Sequence, residues 1–162
     1  MSEFAWHLAL DRDTAKQLFG HKEPDALQQF VAGLIEDFSQ GSAGKILKQP
    51  ASWSIIESCL QGQLSVAAEN SLLSQVFQGG RPLATSEAFS VTLIRPDMVP
   101  IVAQQMSDVT EPTLRNEFAG ATDGELTEPV DQLLDEWNST RDFFQQASER
   151  RDAIIFTVMS GD

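Results

Sequence analysis

The sequence predicts an α+β fold: a small mixed β-sheet packed with several α-helices, in a single domain over residues 1–162. Three observations support it. Residues 3 to 10 alternate with the period of two that marks a strand. The run Ala153 to Met159 is apolar on both sides, as in a strand covered on both faces and central in its sheet. Most of the chain between them carries the three-and-four spacing of amphipathic helices. Few strands separated by runs of helices favour this class over a regular βαβ repeat.

In the first strand Phe4, Trp6, Leu8 and Leu10 share one side, and Glu3, Ala5, His7 and Ala9 the other. Asp11 or Asp13 caps a short helix that stops at Gly20, a residue able to take the left-handed conformation of a helix end. Pro24 opens the clearest helix, about 24 to 39, with Leu27, Phe30, Val31, Leu34, Ile35 and Phe38 on one stripe. Turn formers from Ser39 to Gly44 end it. Pro50 opens a further helix holding Trp53, Ile56 and Leu60, with Gly62 as its stop.

Leu72, Leu73, Val76 and Phe77 fit a short strand or a helical turn equally, and Gly79-Gly80-Arg81-Pro82 reads as a tight turn. Phe89 to Ile94 alternates, is rich in β-branched residues, and is a strand that ends before Pro96. Helices are expected around 97 to 107, 111 to 119 and 128 to 149. The last two begin at the repeated Thr-Glu-Pro, which supplies a hydroxyl cap, an acid and a first-turn proline. Asp152 is read as the breaker before the final strand.

A formal charge of −13 argues against nucleic acid, whose binding draws on clustered lysine and arginine. No window is long and apolar enough for a membrane span, and the first residues lack the pattern of a secretory signal. The lone Cys59 excludes an internal disulfide and suits a reducing, cytoplasmic compartment. The charge is uneven. Residues 96 to 152 hold thirteen carboxylates against Arg115, Arg141, Arg150 and Arg151. Such a region solubilises the chain or attracts a basic partner.

No catalytic template fits. His7, His21 and Cys59 lie in three elements without ligand spacing, so neither a metal nor a cofactor is expected. His7, in line with Ala5 and Ala9, reads as a half-exposed strand histidine; Cys59, near a helix C-terminus, reads as a small structural hydrophobe. No serine sits in a G-x-S-x-G elbow, and Gly79-Gly80 lacks the lysine of a phosphate loop. Glu128, Asp131 and Asp135 share a helical side, but in first turns where the helix dipole accounts for them. Trp53 with Glu57 one turn on, together with Arg81 and Arg115, are the candidate ligand-binding residues.

The order of elements resembles that of the YfbM-like, or DUF1877, family of bacterial proteins over nearly the whole chain. The resemblance is carried by Trp53-Ser54-Ile55-Ile56-Glu57-Ser58-Cys59-Leu60, Gly79-Gly80-Arg81-Pro82-Leu83 and Arg95-Pro96-Asp97-Met98-Val99. Leu114-Arg115-Asn116-Glu117-Phe118 and Arg141-Asp142-Phe143-Phe144 complete it. It implies an α+β domain of bacterial and cytoplasmic character and brings no activity. The family's helix pattern has a histidine where this chain has Glu57.

The expected function is a non-enzymatic interaction domain, such as an immunity-type or regulatory protein, whose acidic surface meets a protein partner, basic by complementarity. The alternative is a small-molecule-binding protein or enzyme with a pocket near Trp53, Glu57 and Arg81.

Overall fold

Two hydrophobic clusters lie on opposite faces of one sheet in the computed structural model, which describes residues 2–41, 43–61, 72–78, 80–86, 88–121 and 128–161. Strand β1 (Ser2–Leu10) serves both, with Leu8 and Leu10 in one cluster and Ala5 and Ala9 in the other. The period of two therefore distributes two cores, one on each face.

Helix α1 (Arg12–Phe19) begins where the Asp11 carboxylate accepts a hydrogen bond from Thr14 N at 2.8 Å. Gly20 ends it in the right-handed conformation at φ −73°, so the expected left-handed stop is not used. Helix α2 (Pro24–Gly41) buries Leu27, Val31 and Leu34 of the predicted stripe against the face that holds Leu8 and Leu10. A 3-10 turn then leads into β2 (Ile46–Gln49). This strand is absent from the sequence reading because four residues give no alternation to detect.

Helix α3 (Trp53–Gln61) buries Trp53, Ile56, Cys59 and Leu60. Its expected stop at Gly62, like Gly79 and Thr127, lies outside the described residues. Leu73–Gln75 is a 3-10 turn, which decides the ambiguous run in favour of a helical turn. Gly80 leads directly into β3 (Arg81–Thr85), so Arg81 and Pro82 belong to an edge strand rather than a tight turn. A Cβ on Gly80 would lie 2.8 Å from the Leu93 carbonyl oxygen, and only glycine permits that approach.

Strand β4 (Phe89–Ile94) is followed by α4 (Val99–Asp108), α5 (Glu111–Ala121) and α6 (Glu128–Arg150). Thr110 Oγ1 accepts from Thr113 N at 3.4 Å, the cap the first Thr-Glu-Pro predicts. Together with α3 these helices cover the second face through Val102, Met106, Phe118, Leu134, Trp137 and Phe144.

Strand β5 (Ala153–Gly161) lies at the centre of the order β2-β1-β5-β4-β3. It sends Ala153 and Ile155 to one cluster and Ile154, Phe156 and Val158 to the other, as its doubly apolar pattern predicts. All four pairings among the described residues are antiparallel, so the sheet is antiparallel where a mixed one was expected. The edges are blunted: β2 has four residues, and β3 carries Pro82 and a bulge.

The turn from α6 into β5 is set by Arg151 at φ 61°. Asp152 N donates to Ala147 O at 2.9 Å and Arg151 N to Ser148 O at 3.1 Å, the paired bonds of a Schellman ending. Asp152 is not simply a breaker. It is buried, accepts from Arg150 Nε at 2.8 Å, and leaves the left-handed position to Arg151. Replacing Arg151 with glycine removes the Cβ strain at that position, and we expect Arg151→Gly to raise stability by about 1 kcal/mol in urea denaturation.

Candidate functional site

The helix-rich face of the sheet holds a polar chain inside an aromatic cage. His7 on β1 is fully buried, where a half-exposed residue was expected, because the small side chains of Ala5 and Ala9 let other elements close over that row. Its ring centroid lies 4.7 Å from that of Phe156, 5.3 Å from Phe77 and 5.5 Å from Phe144.

The hydrogen bonds fix the tautomer. His7 Nε2 lies 2.6 Å from the Val76 carbonyl, which can only accept, so Nε2 carries the proton. Nδ1 then accepts from the Gln49 amide at 3.0 Å. The same amide donates to Thr140 Oγ1 at 2.9 Å, and Thr140 donates to Glu136 O at 2.9 Å. Five elements or segments are joined: β1, β2, α6, the 72–78 segment and, through the cage, β5. Desolvation lowers the His7 pKa from 6.5 to about 4, against a smaller upward effect of the Val76 bond, and the ring is neutral.

Two of the four predicted site residues meet next to this chain. Trp53 is buried, its ring 5.0 Å from Phe156 and 5.7 Å from Phe77. Glu57, one turn on, accepts from Gln78 N at 3.0 Å through Oε2, and burial raises its carboxyl above the usual range. Glu57 therefore holds backbone. Arg81 stands at the start of β3 with its guanidinium 5.9 Å from the Phe19 ring. Arg115 is engaged elsewhere, 2.9 Å from Asp131 and 3.7 Å from Glu111. Cys59 is buried with its thiol pKa raised, the inert state its helix position predicts.

Two grooves border the 72–78 segment. One of about 460 Å³ is lined by Gln75, Gly80, Arg81, Arg95 and Met98. The other, of about 480 Å³, is lined by Gln78, Gly80, Pro82, Ser90 and Thr92. Among the described residues no group of three His, Cys, Asp or Glu side chains is placed to hold a metal ion. Sequence reasoning missed His7, Gln49 and Thr140. The available signals were the alanines flanking His7 and the position of Thr140 three residues after Trp137 on the buried stripe.

An antiparallel sheet between a helical pair and a four-helix layer, with a buried His-Gln-Thr chain, defines an α+β domain of distinct architecture. The chain belongs to the DUF1877 family: the family described as "Domain of unknown function (DUF1877)" matches residues 1–157. A solved structure, that of YfbM from Escherichia coli, a protein of unknown function, is similar with a TM-score of 0.70 at 12% identity. The likeness covers 96% of this chain and 99% of that one, and at this identity it shows the fold. No protein with a curated description matches.

The lowered His7 pKa has a definite sign in stability. The unfolded chain binds the proton from pH 6.5 downward and the folded chain only near 4, so the His7 contribution is complete above 6.5 and falls between 6.5 and 4. The full loss is roughly 3 kcal/mol. Glu57, with its raised carboxyl, acts in the opposite sense. Comparing urea denaturation of wild type and His7→Gln at several pH values should show the extra loss in wild type alone. Thr140→Val removes an acceptor from the Gln49 amide, and we expect a cost of about 1–3 kcal/mol at neutral pH.

Proposed function

We propose that this chain is a non-enzymatic interaction domain whose acidic helical surface takes a protein partner, basic by complementarity. The reading rests chiefly on the surplus of exposed carboxylates on α4–α6. Arg115 engages Asp131 and Glu111, and Arg141 engages Asp142, while Asp108, Asp135 and Glu149 are exposed with no ion pair among the described residues. No helix of the described residues is long and apolar enough to cross a membrane. A net charge of −13 disfavours nucleic acid as the partner. An immunity-type or regulatory protein of a bacterial cytoplasm, with its lone thiol reduced, fits these properties.

The second reading is a small-molecule-binding protein or enzyme near Trp53, Glu57 and Arg81. Its support is the groove of about 460 Å³ that Arg81 helps to line.

Affinity purification from the native cell at about 50 mM salt, with wild type and an Asp135→Lys/Glu149→Lys variant side by side, tests the leading proposal. We expect a basic protein on wild type alone, with purified components binding about tenfold more weakly to the variant and in raised salt. Equal recovery by both forms, or nothing specific on either, overturns the reading.

A further inference from the structure

The segment 72–78 contains one 3-10 turn and belongs to none of the five strands, so its backbone is held by side chains. Four elements supply them. Gln105 Oε1 of α4 accepts from Leu72 N at 2.6 Å, and His7 Nε2 of β1 donates to Val76 O at 2.6 Å. Thr92 Oγ1 of β4 donates to Phe77 O at 3.0 Å, and Glu57 Oε2 of α3 accepts from Gln78 N at 3.0 Å. The segment also borders both grooves, with Gln75 lining one and Gln78 the other, and Gly80 lines both.

We propose that residues 72–78 form an acid-released strap latched by His7, whose opening joins the two grooves. The latch depends on a neutral ring. Taking a proton from solvent puts an N–H on Nδ1, where it faces the Gln49 amide, itself a donor to Thr140. The groups facing His7 are Gln49 from β2, Thr140, Phe143 and Phe144 from α6, Phe77 from the strap and Phe156 from β5. None carries a charge, so the cage offers an imidazolium no counter-ion. The charged ring is stable only where water reaches it, which lifting Val76 and Phe77 provides. Glu57, at the far end of the strap, is the other titratable anchor. Its burial already favours the protonated form, so acid does not eject it.

Backbone amide exchange measured by NMR on the full chain, corrected for intrinsic rates, tests the latch. At neutral pH the Gln75, Val76 and Gln78 amides should open more readily than those of Phe156 and Val158 in β5. Lowering the pH from about 7 to about 5 should raise the strap's opening equilibrium about twentyfold, the factor for a ring that titrates near 4 closed and 6.5 open. Glu57→Gln, which keeps an acceptor for Gln78 N, should retain that response, and His7→Gln should abolish it. If His7→Gln does not fold, titration of the His7 ring in wild type replaces it, and its protonation should follow strap opening. Strap amides that exchange only with β5, or with no dependence on pH, overturn the proposal.

Discussion

The neutral His7 imidazole is the constraint around which the helix-rich half is arranged. A buried donor or acceptor without a partner costs about 1–3 kcal/mol, so both ring nitrogens must be satisfied in the same closed cage. Val76 O satisfies one and Gln49 the other, which fixes where the 72–78 segment crosses the sheet and how β2 docks beside β1. Thr140 carries the requirement to α6 and ends it on a helical carbonyl, a group with a second lone pair to spare. Aromatic rings fill the remaining space. The site is thus apolar in volume and polar along a single line, which makes it intolerant of charge.

The sheet imposes a second constraint, one of order in the chain. Strand β5 is the last element and pairs with β1 on one side and β4 on the other, so neither face can close until residues 153–161 arrive. Contacts between the two ends of the chain are costly to form early, because the loop they close is nearly the whole sequence. The Schellman ending at Arg151 reduces that difficulty locally. It turns the long helix straight into the central strand, and the Arg150 side chain that pairs with Asp152 also donates to Gly44 O at 3.2 Å, next to β2.

What the sequence revealed followed the length of each pattern. Long amphipathic stripes such as Leu27 to Phe38, and the doubly apolar Ala153 to Met159, placed helices and the central strand because many residues repeat one period. The four residues of β2 and the Pro82-bearing β3 were illegible, since short edge strands are shaped by avoidance of pairing rather than by alternation. Among the site residues, Trp53 and Glu57 were legible as one helical face. Their meeting with Phe77 and Gln78 was not, because it depends on a strap that crosses from elsewhere in the sequence. His7 was misread for a related reason. A strand's polar side looks solvated unless small neighbours such as Ala5 and Ala9 are recognised as the mark of a close-packed cover.

Charge on the surface and charge in the interior link the two proposed roles. Residues 96 to 152 hold thirteen carboxylates against four arginines, so the outer helices are negative. An imidazole released into water titrates near 6.5. Below that pH a lifted strap would hold a positive ring beneath those negative helices. That negative field would favour the open, charged state over the closed, neutral one. The surplus of negative charge proposed to attract a basic partner would therefore also lower the cost of opening the strap, and the two would be coupled through the field of the protein without any contact between them.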